Sequence, residues 1–440
     1  MPPSTPPSTP PLPDPVDLDD LLEPFARRGI DLGLQRLQAA LAEGGHPERR
    51  FPAVQVAGTN GKGSICSFLH AILRSAGLHC GTYRSPHLQS WCERLQLDDA
   101  WITPDQLRDD LRRWRPLGER HHLTPFELLT AAAFDRLAAS EVDLAVLEVG
   151  LGGRLDATTA HPDRRVLGFA AIGLDHREHL GDTLTAIAFE KAGVLTPGSL
   201  AFSAPQLPEA AAVLTAEARR RGAELRWLEP LSAAADGGPV LGLAGDLQRS
   251  NAAVAVAMAE ALAARGWAIP AAAIPAGLAA ARWPGRLEQR LCQGRPLLLD
   301  GAHNPPAALA LRRELDRLVP GGPRRWLLGM QAHKQAPEML AALLRPGDRA
   351  TIVPIPAHSS WSAAALAAAC PALADQLRAA ASVAEGLAWL LAPRGGGSEA
   401  IGSAGPDPLP VVAGSLHLLG AVIPRLDPPD APPAARGAAR

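Results

Sequence analysis

The sequence predicts an α/β protein of two domains, the first of them built on a parallel β-sheet. Apolar runs such as "VDLAVLEVGLGG" and "RVLGFAAIGLDH" alternate with longer helical stretches, as buried parallel strands alternate with crossover helices. Four strand-like runs end in glycine or polar residues, at 58–64, 85–87, 148–156 and 175–176. Ligands of such sheets bind at the carboxyl ends of the strands, so the four ends are expected to converge on one crevice.

A second series of strand-like runs follows "ARWPGRLEQ" and places a domain boundary near residues 282–284. "RPLLLDGAHNPPAALALRREL" again has the pattern of strand, polar turn and helix, and "RRWLLGM", "RATIVPIP" and "PLPVVAGSLHLLGAV" contain further candidate strands. We expect a central domain over 16–283 and a C-terminal domain over 284–426, with a loop at 395–410. The proline-rich stretch 1–15 and the stretch 427–440 are predicted to be disordered tails.

Composition excludes several classes of protein. A net charge of −2 over 440 residues gives no general attraction to nucleic acid or to an anionic membrane. The alanine-rich run "NAAVAVAMAEALAARG" is interrupted by polar residues and predicts a soluble helix rather than a membrane span. The five cysteines form no C-x-x-C pair, which argues against a disulfide framework or a zinc site and favours the cytoplasm.

The stretch "VAGTNGKGSICSFLHAIL" predicts a phosphate-binding loop between a strand and a helix. Its glycines let backbone N–H groups approach a phosphate, while the helix N-terminus and Lys62 add positive potential. The pattern departs from the usual one, because Gly63 separates Lys62 from Ser64 where a Ser or Thr normally follows the lysine. The alternative is a tight strand-to-helix turn with a surface lysine. We expect Ser64 to start the helix or to contact phosphate rather than to anchor a metal ion.

The other strand ends of the first domain offer ligands for a hard cation such as Mg²⁺. Glu148 closes an apolar strand, where a carboxylate is costly unless it is paired with Arg154 or bound to metal. Asp175-His176 ends the next strand, although a lone histidine is more often structural than a ligand. Lys191 lies among apolar residues in "AFEKAGVL" and has a helix-surface position as its simpler interpretation. With the Ser85 hydroxyl, these groups suit Mg²⁺ better than zinc.

The second domain carries one comparable cluster, "DGAHNP". Asp300 and His303 are either an acid/base pair or part of the cap of the helix that follows, and Asn304 is itself a good capping residue. The upstream "PGR", which contains Arg286, is either functional or a hinge, and its spacing does not decide between the two.

Together these motifs resemble the folylpolyglutamate synthase/dihydrofolate synthase family, within the wider group of Mur ligases. The match runs over about 29–421 and comprises, in the family's order, "IDLGLQRL", "VAGTNGKGS", "SPHLQSWCERL", "TPFELLTAAAF", "LEVGLGGRLDAT", "LDHREHLGDTLTAIAFEKAGV", "WPGRLE", "DGAHNP" and "AGSLHLL". The resemblance implies a P-loop-type ATPase domain, a smaller Rossmann-like domain and ATP between them. It also implies that ATP phosphorylates the carboxylate of dihydropteroate or of a reduced folate's terminal glutamate, and that L-glutamate then attacks the acyl phosphate.

The resemblance also assigns residues. It implies that the ATP contacts are Thr59, Asn60, Gly61, Lys62, Gly63, Ser64, Asn251, Arg286 and Asp300. It implies that two Mg²⁺ ions are held by Ser85, Glu148, His176 and Lys191, the last as a carbamate, and that Lys191 and His303 act in catalysis. The implied pterin and folate contacts are Gly29, Ile30, Asp31, Leu32, Thr124, Pro125, Phe126, Glu127, Leu155, Asp156 and Ala157.

Some points stay open at this level. "IDLGLQR" favours a bifunctional enzyme over a polyglutamylase alone, and with "TPFE" it argues against a ligase of peptidoglycan precursors. A nucleotide-binding regulatory protein is the alternative outside enzymes. His333-Lys334-Gln335 replaces an Asp-Lys-Asp usual in the family, and Thr159 replaces a common Asn. We expect a cytoplasmic monomer that takes small-molecule substrates and has no nucleic-acid or membrane partner.

Overall fold

A computed structural model describes residues 11–26, 28–392 and 410–427. The chain divides into two compact units, Met1–Trp283 and Pro284–Arg440. Most of the predicted tail 1–15, the loop 395–410 except its last residue, and the tail 427–440 except its first residue lie outside the described residues.

The described residues form fourteen strands: β1 Ala53–Ala57, β2 Cys80–Tyr83, β3 Leu95–Leu97, β4 Ala100–Trp101, β5 Leu144–Glu148, β6 Arg164–Phe169, β7 Leu200–Ser203, β8 Glu224–Trp227, β9 Glu288–Cys292, β10 Arg295–Leu299, β11 Arg325–Leu328, β12 Arg349–Ile352, β13 Leu377–Ala379 and β14 Val411–Ala413. They also form fifteen α-helices: α1 Asp19–Ala26, α2 Gln35–Glu43, α3 Lys62–Ser75, α4 Pro104–Arg120, α5 Pro125–Ala139, α6 Arg177–Leu180, α7 Leu184–Ala192, α8 Pro208–Arg221, α9 Leu247–Ala264, α10 Ala273–Ala280, α11 Pro305–Leu318, α12 Ala336–Leu343, α13 Ala363–Ala369, α14 Val383–Leu391 and α15 Leu416–Val422.

The first unit is built on a sheet whose described strands lie in the order β4-β3-β2-β5-β1-β6-β7-β8. From β2 to β8 all neighbours are parallel, as the continuous apolar runs predict, and every residue of β1 and β5 is buried. The strands β3 and β4 add an antiparallel edge that the sequence pattern did not predict. The order places the carboxyl ends of β2, β5, β1 and β6 side by side.

Helices cover both faces of this sheet and bury two apolar cores. Helix α3 packs between α9 and α10 over one core, which includes Ile65, Phe68 and Leu69. Helices α4 and α5 pack over the other, which includes Trp114 and Phe134. The alanine-rich run is helix α9, whose small side chains allow α3 to pack closely. No helix among the described residues is both long and apolar enough to cross a bilayer.

The second unit contains a sheet with the described order β13-β12-β11-β14-β10-β9, parallel except for the antiparallel β9. Its core surrounds Trp326, which is fully buried. The Trp326 Nε1–H donates to Asp348 at 3.3 Å, and the buried Arg312 guanidinium donates to the same carboxylate at 2.7 Å. Parallel strands with helices between them agree with the predicted Rossmann-like fold.

Candidate active site

The predicted phosphate loop joins β1 to α3 at the carboxyl end of the first sheet. Gly58 and Gly61 have φ angles of 136° and 107°, a region that only glycine adopts readily, and Gly61 is the N-cap of α3. The helix therefore begins at Lys62, and the interpretation of Ser64 as its first residue is wrong. The N–H groups of the first helical turn have no partner within the helix, and such groups bind anions at helix N-termini.

The loop is tied to the segment that follows β6. The N–H groups of Thr59 and Asn60 donate to the Ala171 carbonyl at 2.9 and 3.1 Å. The Thr59 hydroxyl donates to the Gly173 carbonyl and accepts from the Gly173 N–H, both at 3.1 Å. Because the N–H of Thr59 and of Asn60 is already used, the donors available to a phosphate begin at Gly61. This bracing joins the loop to the segment that carries His176.

Two neighbours explain why the loop contains glycine at 61 and 63. A β-carbon on Gly61 would collide with the Asn251 Oδ1 of helix α9, so Asn251, an implied ATP contact, lies against the loop. A β-carbon on Gly63 would lie 2.7 Å from Trp283 Nε1. The Ser64 hydroxyl is buried and has no hydrogen-bond partner among the described residues, which suits contact with a bound group.

The implied cation ligands lie around the same edge of the sheet. Ser85 is half-buried just after β2, and Glu148 ends β5 with 5 % of its surface exposed. Register pairs Val56 with Glu148, so the carboxylate lies beside the strand that leads into the phosphate loop. His176 caps α6 in a left-handed conformation, φ 51°, with its ring within 3.9 Å of Asp175 and partly exposed.

Lys191 is buried near the end of α7, with 5 % of its surface exposed, so the surface interpretation is wrong. Burial lowers the pKa of its amine to about 7, the charge of Lys62 contributes to the lowering, and Asp175 and Asp156 oppose the shift. The charges of Lys62, Asp175 and Asp156 therefore all act on the Lys191 amine. Arg154 pairs with Glu190 at 2.7 Å instead of with Glu148, which corrects the pairing considered from the sequence.

The donor set fits a hard divalent cation. The implied hydroxyl, carboxylate and imidazole groups lie at or after the carboxyl ends of β2, β5 and β6, which lie in one sheet. The implied set contains no cysteine thiolate, and such oxygen-rich sets suit hard cations. Among the described residues no group of three or more His, Cys, Asp and Glu side chains is arranged as a metal site. The implied set contains only two such residues, Glu148 and His176, so any site formed here also depends on Ser85, on modified Lys191 and on the bound phosphates.

The segments implied in pterin binding converge in the first unit through Arg36, which the sequence motifs did not single out. The Arg36 guanidinium donates to the Asp31 carboxylate at 2.8 Å and to the Asp31 carbonyl at 2.7 Å. It also lies 3.4 Å from the buried Glu127 carboxylate. Glu127 and Thr124 form the capping box of α5 with Pro125 at its start, so Arg36 connects the 29–32 loop to a fixed helix end.

A third implied segment, 155–157, is organised by Asp156. Its buried carboxylate accepts from the N–H groups of Gly150, Leu151 and Thr158 at 2.9–3.0 Å. Burial raises the pKa of Asp156, and these hydrogen bonds oppose the rise. The Asp156 side chain therefore shapes the loop and fixes the places of Leu155 and Ala157 within it.

The Phe126 ring contacts residues at or just after the ends of two strands, β2 and β5. Its ring stacks on Tyr83 with 6.1 Å between centroids, and a β-carbon on Gly150 would lie 2.6 Å from it. Leu32 and Leu151 pack against one and the same apolar cluster. Ile30 is 56 % exposed, so the 29–32 loop presents an apolar side chain to solvent. This part of the first unit combines an aromatic ring, apolar side chains and backbone groups, as recognition of a flat heterocycle requires.

The predicted residues of the second unit gather at the end of β10. The Asp300 carboxylate accepts from the N–H of Leu287 at 3.0 Å and of Ala302 at 2.9 Å, while burial raises its pKa and Arg286 opposes the rise. Arg286 lies so close to Gly301 that a β-carbon there would collide with the guanidinium. His303 Nδ1 is 2.8 Å from the Gly301 carbonyl. Asn304 caps α11, as the simpler interpretation of "DGAHNP" held, so His303 and Asp300 do not serve as the cap.

The unusual His333-Lys334-Gln335 sequence lies before α12, and Gln335 is the residue that precedes the helix. Lys334 is buried, and its carbonyl accepts from Trp361 Nε1 at 3.3 Å. This loop therefore has a packing role in the second unit.

Fold and site define an α/β protein with a glycine-rich loop at the carboxyl end of its first parallel sheet, and comparisons specify the family. Residues 287–425 match the model of the dihydrofolate synthetase C-terminal domain. The Mycobacterium tuberculosis dihydrofolate synthase/folylpolyglutamate synthase is 33 % identical over 361 residues, covering 71 % of this chain and 74 % of that protein. The chain belongs to the folylpolyglutamate synthase/dihydrofolate synthase family. It spans only 49 % and 38 % of two Arabidopsis thaliana folylpolyglutamate synthases that it also matches.

Solved structures agree over nearly the whole chain. Escherichia coli FolC in complex with DHPP and ADP has a TM-score of 0.76 and 28 % identity, covering 92 % of this chain and 95 % of that one. The bifunctional Yersinia pestis enzyme with AMPPNP and Mn ion has a TM-score of 0.79 and 29 % identity, covering 92 % and 96 %. The predicted α/β fold of Mur-ligase type is thereby confirmed.

Proposed function

We propose that this protein is an ATP-dependent ligase that joins L-glutamate to dihydropteroate and to the terminal glutamate of reduced folates. The observation that carries the proposal is that the first unit holds, at the carboxyl end of one sheet, a glycine-rich loop at a helix N-terminus, the buried Glu148 and the Phe126–Tyr83 ring pair. A free carboxylate is a poor acyl donor, so phosphorylation by ATP is the step that makes amide formation possible. We propose that the phosphate loop binds the ATP for that step and that the segments around Phe126 bind the pterin substrate.

In the proposed reaction the phosphate loop holds the nucleotide. The N–H groups of Gly61, Lys62, Gly63 and Ser64 and the Lys62 ammonium bind the phosphates, and Asn251 contacts ATP beside the loop. Thr59 and Asn60 act through the shape of the loop, because their N–H groups are bonded to Ala171. Arg286 and Asp300 are proposed as ATP contacts of the second unit, with His303 near the reacting groups.

Ser85, Glu148, His176 and Lys191 are proposed to hold two Mg²⁺ ions. Bound Mg²⁺ would neutralise charge that develops on the transferring phosphoryl group. The proposal includes carbamylation of Lys191, because a buried ammonium beside Lys62 would repel a cation whereas a carbamate attracts one. The Lys191 amine would attack CO₂ through its nitrogen lone pair and release one proton.

The pterin is proposed to lie against Phe126, with Gly29, Ile30, Asp31 and Leu32 on one side and the segment 155–157 on another. Arg36 holds the first of these loops to the end of α5. Because the loop is built and braced in this chain, we propose dihydropteroate as a substrate beside reduced folates. A polyglutamylase without dihydropteroate activity is the alternative.

A substrate panel tests the function. Purified protein is incubated with ATP, Mg²⁺, L-glutamate and either dihydropteroate, a reduced folate or a nucleotide-linked muramyl precursor, and phosphate release and product mass are measured. Phosphate release with one added glutamate on the first two substrates is expected, and Lys62→Met serves as the matched inactive control. Folded protein that releases no phosphate with either pterin substrate contradicts the proposal, while activity on the reduced folate alone restricts it to polyglutamylation.

The proposed assembly and location are a monomer and the cytoplasm. The five cysteines are all unpaired, and four are buried, which is typical of a reducing compartment. Light scattering of the purified protein tests the monomer, and fractionation of expressing cells tests the location.

A further inference from the structure

The phosphate loop has a neighbour that is not among the implied ligand contacts, the indole of Trp283. This residue is the last of the first unit and lies in "WPGR". It is half-buried and packs against the core that surrounds α3. A β-carbon on Gly63 would lie 2.7 Å from its Nε1, 3.1 Å from Cε2 and 3.4 Å from Cζ2. The edge of the indole formed by these atoms therefore occupies the space where any other residue at position 63 would place its side chain.

A buried arginine holds the indole in this position. The Arg84 guanidinium lies 4.8 Å from the centre of the Trp283 ring and 5.8 Å from that of Trp101, with only 2 % of Arg84 exposed. Its Nη1 donates to Gln96 at 2.7 Å, and its Nε has no hydrogen-bond partner among the described residues. Cations over indole faces are strongly attracted when they are removed from water, so both rings help to stabilise the charge.

Arg84 also precedes Ser85, one of the proposed cation ligands. Its backbone N–H donates to the Arg94 carbonyl at 2.8 Å, which fixes the chain as it leaves β2. One continuous set of contacts therefore runs from Gly63 in the phosphate loop through Trp283 to Arg84 and Ser85.

We infer that Trp283, held by Arg84, is a positioning residue that sets the place of the phosphate loop against the cation ligands. This inference rests on the proposed function, since it concerns how the loop is held for ATP. It also explains the unusual Gly63. Gly63 lies inside helix α3, where the backbone suits any residue, whereas Gly58 and Gly61 need glycine for their φ angles. The indole is the neighbour that excludes a side chain at 63.

The experiment combines Gly63→Ala with removal of either ring. Binding of AMPPNP with Mg²⁺ is measured by calorimetry for the wild type, Gly63→Ala, Trp283→Leu, and the double variants that join Gly63→Ala to Trp283→Leu or to Trp101→Leu. Trp101→Leu is the matched control, because it removes the other indole that lies over the Arg84 guanidinium. Thermal unfolding confirms that each variant is folded.

We expect Gly63→Ala to weaken AMPPNP binding about tenfold or more and Trp283→Leu to restore it to within about threefold of Trp283→Leu alone. Trp101→Leu should restore nothing. In turnover assays, Gly63→Ala should raise the KM for ATP and leave the KM for L-glutamate within about twofold. If Gly63 served only the stability of the fold, Gly63→Ala would change the KM for ATP and the KM for L-glutamate alike.

Two results overturn the inference. One is a folded Gly63→Ala variant that binds AMPPNP as the wild type does. The other is equal weakness of the two double variants. A wild type that binds no nucleotide instead contradicts the proposed function, and this inference with it.

Discussion

Removing the buried amine of Lys191 should make the metal-free protein more stable while abolishing its activity. Burial lowers the pKa of this amine from 10.5 to about 7, so the folded state disfavours the charged form. Between these two values the unfolded chain binds more protons than the folded chain, and stability therefore rises with pH. The free-energy cost of burying the charged Lys191 amine is fully present below about pH 7 and disappears above about pH 10.5.

The size of the effect follows from the shift. A difference of about 3.5 pKa units lowers the free energy of unfolding by roughly 5 kcal/mol at low pH and by roughly 4 kcal/mol at pH 7. Methionine has a similar length and no charge, so Lys191→Met should gain a large part of this amount near pH 6 and little near pH 10. Such a gain in the free energy of unfolding would show that the Lys191 amine, which we propose is needed for activity, lowers the stability of the fold.

The assay is urea unfolding followed by tryptophan fluorescence, in CO₂-free buffer with a chelator, at about pH 6 and about pH 10. Added bicarbonate should stabilise the wild type and leave Lys191→Met unchanged, because only the wild type carries the amine. The reasoning is refuted if Lys191→Met is less stable than the wild type at both pH values, or if the difference between them does not change with pH.

Three further predictions concern other parts of the first unit. Arg36→Met should raise the KM for dihydropteroate about tenfold in steady-state assays, because the 29–32 loop loses two short hydrogen bonds. His70→Gln should flatten the acid side of the pH–stability curve in urea titrations. Burial lowers the pKa of His70 to about 3, so stability falls as pH drops below 6.5, by about 2 kcal/mol at about pH 5. Gly61→Ala should weaken ATP binding at least about tenfold in calorimetry, because it combines strain at φ 107° with a collision against Asn251.

Each of these has its own control. An equal rise in the KM for ATP would show that Arg36→Met disturbs the whole unit rather than the pterin loop. An unchanged slope below pH 6.5 would contradict the assignment of a buried neutral His70. Gly77→Ala is the matched control for Gly61→Ala, since Gly77 has φ 83° and no heavy atom within 4 Å of the added carbon. It should cost about 1 kcal/mol of stability and leave ATP binding intact.

The central strands and the phosphate loop of the first unit could be predicted, because short stretches of sequence are enough to indicate them. The apolar runs that end in Glu148 and before Gly58 identified the central strands, and glycines at those ends identified the loop. The N-terminal limit of α3 was less certain, because Gly61 caps it without a side chain and leaves no capping residue to recognise. The short antiparallel strands β3 and β4 also escaped detection, since an edge pair of three and two residues has little hydrophobic pattern.

Pairings between distant segments could not be predicted. Arg154 has an acidic neighbour close in sequence, Glu148, yet it pairs with Glu190, which helix α7 brings to it. Lys191 has a helical sequence context that suits a surface position equally well, yet the fold buries it to 5 % exposure. The link from Arg36 to Glu127 spans 91 residues. In each case the sequence supplies the charge, and the tertiary fold decides its partner.

Glycines carry part of this tertiary information, and they do so in two different ways. At Gly58 and Gly61 the backbone angle itself requires glycine, which a turn prediction can anticipate. At Gly63 and Gly153 the backbone accepts other residues, and the requirement comes from a neighbour. That neighbour is the Trp283 indole for Gly63 and, for Gly153, the Lys191 carbonyl oxygen, which would lie 2.8 Å from an added β-carbon. A glycine without a conformational reason is therefore evidence of a close contact. In the first unit such glycines lie in the phosphate loop, at Gly63, and against the backbone of the helix end that carries Lys191, at Gly153.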